Sequence, residues 1–93
     1  MKEGESKYDV LKAWLQLQEG KNVVEISISE LEERLRNFDE KFKFPPSAYK
    51  HAAWWSNDHK QHPESKHGWL AAGWKAYPVV RDNKVVRVIF RRD

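Results

Sequence analysis

The sequence predicts an α+β domain of three to four helices, one short strand and a C-terminal β-hairpin. Three observations carry that prediction. Apolar residues recur at helical spacing near the start, a capping signature at Ser27 and Glu30 separates a strand from a second helix, and alternation with period two takes over after Trp74. Ninety-three residues suffice for one modest core, so residues 1–93 are read as a single domain, with 1–6 expected to be disordered.

The first helix is expected from about Tyr8 to Gln18, burying Leu11, Trp14 and Leu15, with Gly20 as its stop. Val23 to Ile26 reads as a short strand of β-branched residues. Ser27 is placed to cap the next helix, Glu30 to reach back to the cap, and Ile26 and Leu31 to close a hydrophobic staple around it. That second helix continues to about Asn37 and buries Leu31, Leu35 and the following Phe38. The pair Pro45-Pro46 breaks it off, because a residue before proline is driven toward extended backbone.

Pro46 or Ser47 opens a third helix reaching Trp55 or Asn57, with Ala48, Ala52 and Trp55 on its core face and Lys50, Trp54 and Asn57 along another stripe. After the polar stretch Asn57–His62, Pro63 starts a short fourth helix that Gly73 stops. Trp74–Val80 and Val85–Arg91 are the hairpin strands, joined by Arg81-Asp82-Asn83-Lys84, where Asp and Asn tolerate the positive φ of a tight turn. Strict alternation places Val86, Val88 and Phe90 on one face of the last strand and Val85, Arg87, Ile89 and Arg91 on the other. Pro78 marks the first hairpin strand as an edge. This order of elements is that of a winged helix-turn-helix, with the third helix in the recognition position and the hairpin as wing.

Composition narrows the function classes. No apolar run approaches the roughly 18 residues that a membrane span requires, and no apolar region follows the charged start Met1–Glu5, so a cytoplasmic protein without a membrane partner is expected. The chain has no cysteine, which removes disulfides and thiolate chemistry. Residues 1–40 carry six Lys/Arg against ten Asp/Glu (net −4), and residues 41–93 carry eleven against four (net +7). A basic half that also holds four of the five tryptophans suits a polyanion with stackable bases.

The expected partner is therefore nucleic acid, DNA in the first instance. Its binding set is Ser47, Lys50, His51, Trp54 and Asn57 on the third helix, His62 and Lys66 after it, and Arg81, Lys84, Arg87, Arg91 and Arg92 on the hairpin. In that set Lys50 and Asn57 read base edges, Trp54 stacks, and the hairpin cations grip phosphates. The alternative is a protein-interaction module, an adaptor of a phage or defence system, with Trp54 and Trp69 as its interface anchor.

His59, His62 and His67 have a spacing compatible with zinc, but no cysteine pair, HExxH, P-loop or GxSxG sequence accompanies them. Asp58 and Glu64 lack the strand-borne carboxylate cluster of a magnesium-dependent nuclease. No catalytic residue, metal or cofactor is expected, and the domain is read as a binding module rather than an enzyme.

Six segments give the chain a resemblance. They are Tyr8-Asp9-Val10-Leu11, Ile26-Ser27-Ile28 with Glu30, Pro45-Pro46-Ser47-Ala48, Ala53-Trp54-Trp55-Ser56-Asn57, Trp69-Leu70-Ala71-Ala72-Gly73-Trp74 and Val88-Ile89-Phe90-Arg91. Together they resemble a family of small prokaryotic and phage-associated domains without an assigned function, over nearly the whole chain. The resemblance implies domain boundaries and marks the Trp-Trp-x-Asn and Ala-Gly-Trp segments as a signature. It also implies a basic residue directly after the Ser-Ala pair, where this chain has Tyr49 and places Lys50 one position later.

Overall fold

A computed structural model describes residues 8–57 and 68–92. Helix α1 spans Asp9–Gln16, strand β1 Val23–Ser27, helix α2 Ile28–Leu35 and helix α3 Pro46–Lys50; a 3-10 turn covers Ala52–Trp55, and strands β2 and β3 span Trp74–Arg81 and Lys84–Arg92. The three strands form one antiparallel sheet in the order β1-β3-β2.

α1 buries Leu11, Trp14 and Leu15, the face its spacing predicts, and gives way two residues early, before a turn in which Gly20 takes φ +80°. At the start of α2 the Glu30 N–H donates to Ser27 Oγ at 3.2 Å, while Ser27 holds extended backbone. A cap of this kind contributes about 1 kcal/mol. The Glu30 carboxylate does not close the box; it accepts from Arg34 one turn on. Phe38 is 43% exposed, against expectation, because α2 ends at Leu35 and the aromatic side chains that enter the core are Phe42 and Phe44 of the following loop. Those two rings meet edge to face at 4.9 Å.

The third helix lasts one turn. Pro46 opens it as expected, but His51 adopts extended backbone (φ −126°, ψ 116°) and the chain re-enters as the 3-10 turn. The Trp55 indole supplies the reason, since its Nε1–H donates to the Ala48 carbonyl at 2.9 Å, the acceptor that the Ala52 N–H would use in a continuous helix. Adjacent side chains on a helix diverge by about 100°, and the break lets both Trp54 and Trp55 join the same aromatic cluster. Trp55 is 1% exposed and packs against Phe44, Trp69 and Phe90.

The winged helix-turn-helix expectation is therefore corrected, while the α+β class stands. α2 is followed by a five-residue helix anchored in the core by Ala48, which leaves no recognition helix to present. The hairpin is not a projecting wing either: β1 pairs with β3 from Val23↔Arg91 to Ser27↔Arg87, so the hairpin is two thirds of the sheet on which the core rests. The start of the expected fourth helix lies outside the described residues. Its end is a turn closed by the Ala72 and Gly73 amides on the Trp69 and Leu70 carbonyls, with Gly73 at φ +86°.

The hairpin turn has positive φ at both Asp82 (53°) and Asn83 (63°), as its residue types predict. Pro78 sits on β2, which is an edge strand. A bulge changes the faces of β3, however. Val79 is opposite Arg87 and Val80 opposite Val85, leaving Val86 as the extra residue. Val85 is consequently buried with Val88 and Phe90, and Val86 is only half-buried.

Candidate functional site

The pleat sorts the strand residues into two sets. Toward the helices point Val24 and Ile26 of β1, Val88 and Phe90 of β3, and Trp74 and Ala76 of β2, all within or against the core. The opposite face forms a grid of three rows: Val23, Arg91 and Lys75; Glu25, Ile89 and Tyr77; Ser27, Arg87 and Val79. Glu25, Arg87, Arg91, Lys75 and Tyr77 are exposed there, and Val23 is half uncovered. The core residues of α1, α2 and α3 all belong to the cluster on the inner face, so this outer face is uncovered by any described helix.

Glu25 is the one carboxylate of that grid, and it is ion-paired with Arg87. The Arg91 guanidinium makes no hydrogen bond or ion pair with a described side chain, and the residue is exposed. Arg81 and Lys84, exposed at the hairpin turn, extend the basic strip beyond the bulge. Arg92 differs. Its backbone N–H donates to the Asn22 carbonyl, its guanidinium reaches the Gln18 carbonyl at 3.2 Å, and it lies 4.6 Å from the centroid of the Trp74 ring, clipping the end of α1 to the sheet.

The predicted binding set is thus divided. Arg87 and Arg91 share the outer face and Arg81 and Lys84 its tip, whereas Ser47, Lys50 and His51 lie in the helical layer on the other side of the sheet. His62 and Lys66 fall outside the described residues, as do His59, His67, Asp58 and Glu64. Lys50, Trp54 and Asn57 do not form a stripe, because the backbone break at His51 cancels the helical spacing that would align them.

Asn57 is committed to the fold. Its Oδ1 accepts from the Ala76 N–H at 2.9 Å and from the Trp69 indole at 2.8 Å, while its Nδ2 donates to the Ala76 carbonyl at 3.0 Å. The Trp-Trp-x-Asn and Trp-Leu-Ala-Ala-Gly-Trp segments are therefore joined through one amide. Trp69 is wholly buried, so it does not present an interface anchor. Trp54 is half-buried, edge-on to Tyr8 and Phe44 at 5.7 Å each and against Trp55 at 4.7 Å.

Glu32 organises the helical layer. Its carboxylate accepts from Arg36 at 2.9 Å and from the Phe44 N–H at 2.8 Å, and the Tyr49 hydroxyl donates to it. Burial, reinforced by that carboxylate, pushes the Tyr49 phenol up from 10.0 to about 12. Tyr49, which stands where the family resemblance implies a basic residue, is therefore a neutral donor.

Among the described residues no three metal-ligating side chains converge. Two open grooves flank α2, one along β1 between Trp14 and Arg34 and one beside Ser29 and Asn37. Tyr77 and Lys75 are among the members of the outer face that the sequence reading did not single out. Alternation in the last strand placed Ile89 with Arg87 and Arg91, but only the pairing of β1 with β3 reveals that the face is a wide sheet rather than one side of a ribbon.

No helix of the described residues is long and apolar enough to cross a membrane. No curated protein and no solved structure gives a significant match to the chain. One family model does match, over residues 8–92, from the residue before α1 to the last residue of β3. The expectation of a small domain family without an assigned function is met: the chain belongs to the family described as a domain of unknown function, DUF7662.

Proposed function

We propose that this domain binds nucleic acid through the outer face and turn of its β2–β3 hairpin. The observation that carries the reading is the concentration of Lys75, Arg81, Lys84, Arg87 and Arg91 on one hairpin, with Glu25 as the sole carboxylate of the outer grid and Asp82 in the turn. Cations so grouped release condensed counterions when they meet phosphates, which favours a polyanion over a neutral partner.

Titration of labelled DNA at about 50 and about 200 mM salt tests the reading, with a steep loss of affinity expected between the two. Replacing Arg81, Lys84 or Arg91 with Ala should each lower the salt slope by about one. Binding that is absent, or indifferent to salt and to all three changes, would reject the proposal.

A further inference from the structure

Phosphate attraction does not distinguish a single strand from a duplex, but the shape and chemistry of the outer face do. Tyr77 occupies its middle row on β2, 41% exposed, beside Ile89 and between Lys75 and Val79 along the strand. No other ring among the described residues packs against it, although every tryptophan of the described residues lies in or against the core. Ile89 and Val79, both half-buried, give the ring an apolar floor. Arg91 stands diagonally from it across the strands, at the roughly 7–8 Å that separates such neighbours.

We propose that this face receives a single-stranded segment of nucleic acid, with an unpaired base stacked on Tyr77 and the adjoining phosphates held by Arg91 and Arg87. The inference rests on the polyanion-binding reading above and adds the strandedness. A base in a duplex is already stacked on its neighbours, so a ring standing on a sheet gains nothing from it; an unpaired base offers a free π-face. The major groove, about 12 Å wide, admits a helix or a two-stranded ribbon. Here the one-turn α3 is held in the core and the ribbon has a third strand, β1, along the rows that carry the cations. A neutral apolar protein partner fits less well, because covering this face would strip water from the Arg91 guanidinium without neutralising it.

Fluorescence anisotropy with labelled 12-residue single-stranded DNA, single-stranded RNA of the same sequence and duplex DNA decides the matter. At least one single strand should bind about tenfold or more tightly than the duplex. Tyr77→Ala and Tyr77→Leu should each weaken single-strand binding about tenfold, the scale of one lost base stack, while Tyr77→Phe, which keeps the ring, binds like the parent. Thermal melting of the variants shows that the sheet is intact, and Tyr77→Leu keeps an apolar side chain on the strand in case Tyr77→Ala does not fold. A duplex that binds as well as either single strand, or Leu and Ala variants that bind like the parent, would overturn the single-strand inference and leave salt-dependent nucleic-acid binding in place. Loss of salt-sensitive binding to all three probes would remove both.

Discussion

The side-chain amide of Asn57 pairs with the backbone of Ala76 as one strand residue pairs with another, donating to its carbonyl and accepting from its N–H. Ala76 lies on β2, whose only strand neighbour among the described residues is β3, so these groups point to the open side of the sheet. Asn57 closes that position against other chains, which an unpaired edge would invite. The same oxygen also fixes the Trp69 indole.

Asn57→Ala should therefore behave as a core mutation. It leaves the Ala76 N–H and carbonyl and the Trp69 indole N–H without their partner, and a loss of about 2 kcal/mol is expected in chemical denaturation. An unchanged denaturation midpoint would show that the amide is not needed for the fold.

The bulge at Val86 makes a second expectation sharp. Val85→Ala removes methyl groups packed in the core and should cost about 2 kcal/mol, whereas Val86→Ala should cost less than half of that. Equal costs, or the reverse order, would restore the strict alternation that the sequence suggests.

Tyr49 predicts a pH dependence in alkali. Its folded pKa, about 12, lies above the ordinary 10.0, so the folded state holds the proton more tightly than the unfolded one. The resulting stability is complete below about pH 10 and is lost as pH rises toward 12. Denaturation midpoints measured across that window should fall for the parent and fall less for Tyr49→Phe. Tyrosinate absorbance gives a second reading: the part of the rise that disappears in Tyr49→Phe should titrate near pH 12.

Local rules made most elements legible. The Ser27 cap, the proline at the start of α3, the Asp82-Asn83 turn and the edge position of Pro78 each follow from the preference of one residue type for one backbone state. What escaped were effects between residues far apart or competing for one group. The Ala48 carbonyl is taken by an indole seven residues on, which ends a helix that periodicity would continue. Asn57 looks like a reader of bases because its partner, nineteen residues away, is a backbone that sequence does not reveal. The hairpin looked like a wing because nothing local tells Val23–Ser27 to join β3. Of the candidate site, the basic hairpin was readable from charge alone, while Tyr77 needed the completed sheet to have a face to stand on.

The strand order has a consequence for how the chain assembles. β3 is the middle strand and also the last described element, paired to β1 across more than sixty residues of chain. Until it is in place, β1 and β2 have no neighbour and the aromatic residues of the 3-10 turn have no Phe90 to close over. Closing so long a loop before any of the β1–β3 pairing energy is returned slows the search for the native state. During synthesis the earlier elements wait, with their apolar surfaces open, for nine residues that leave the ribosome after them.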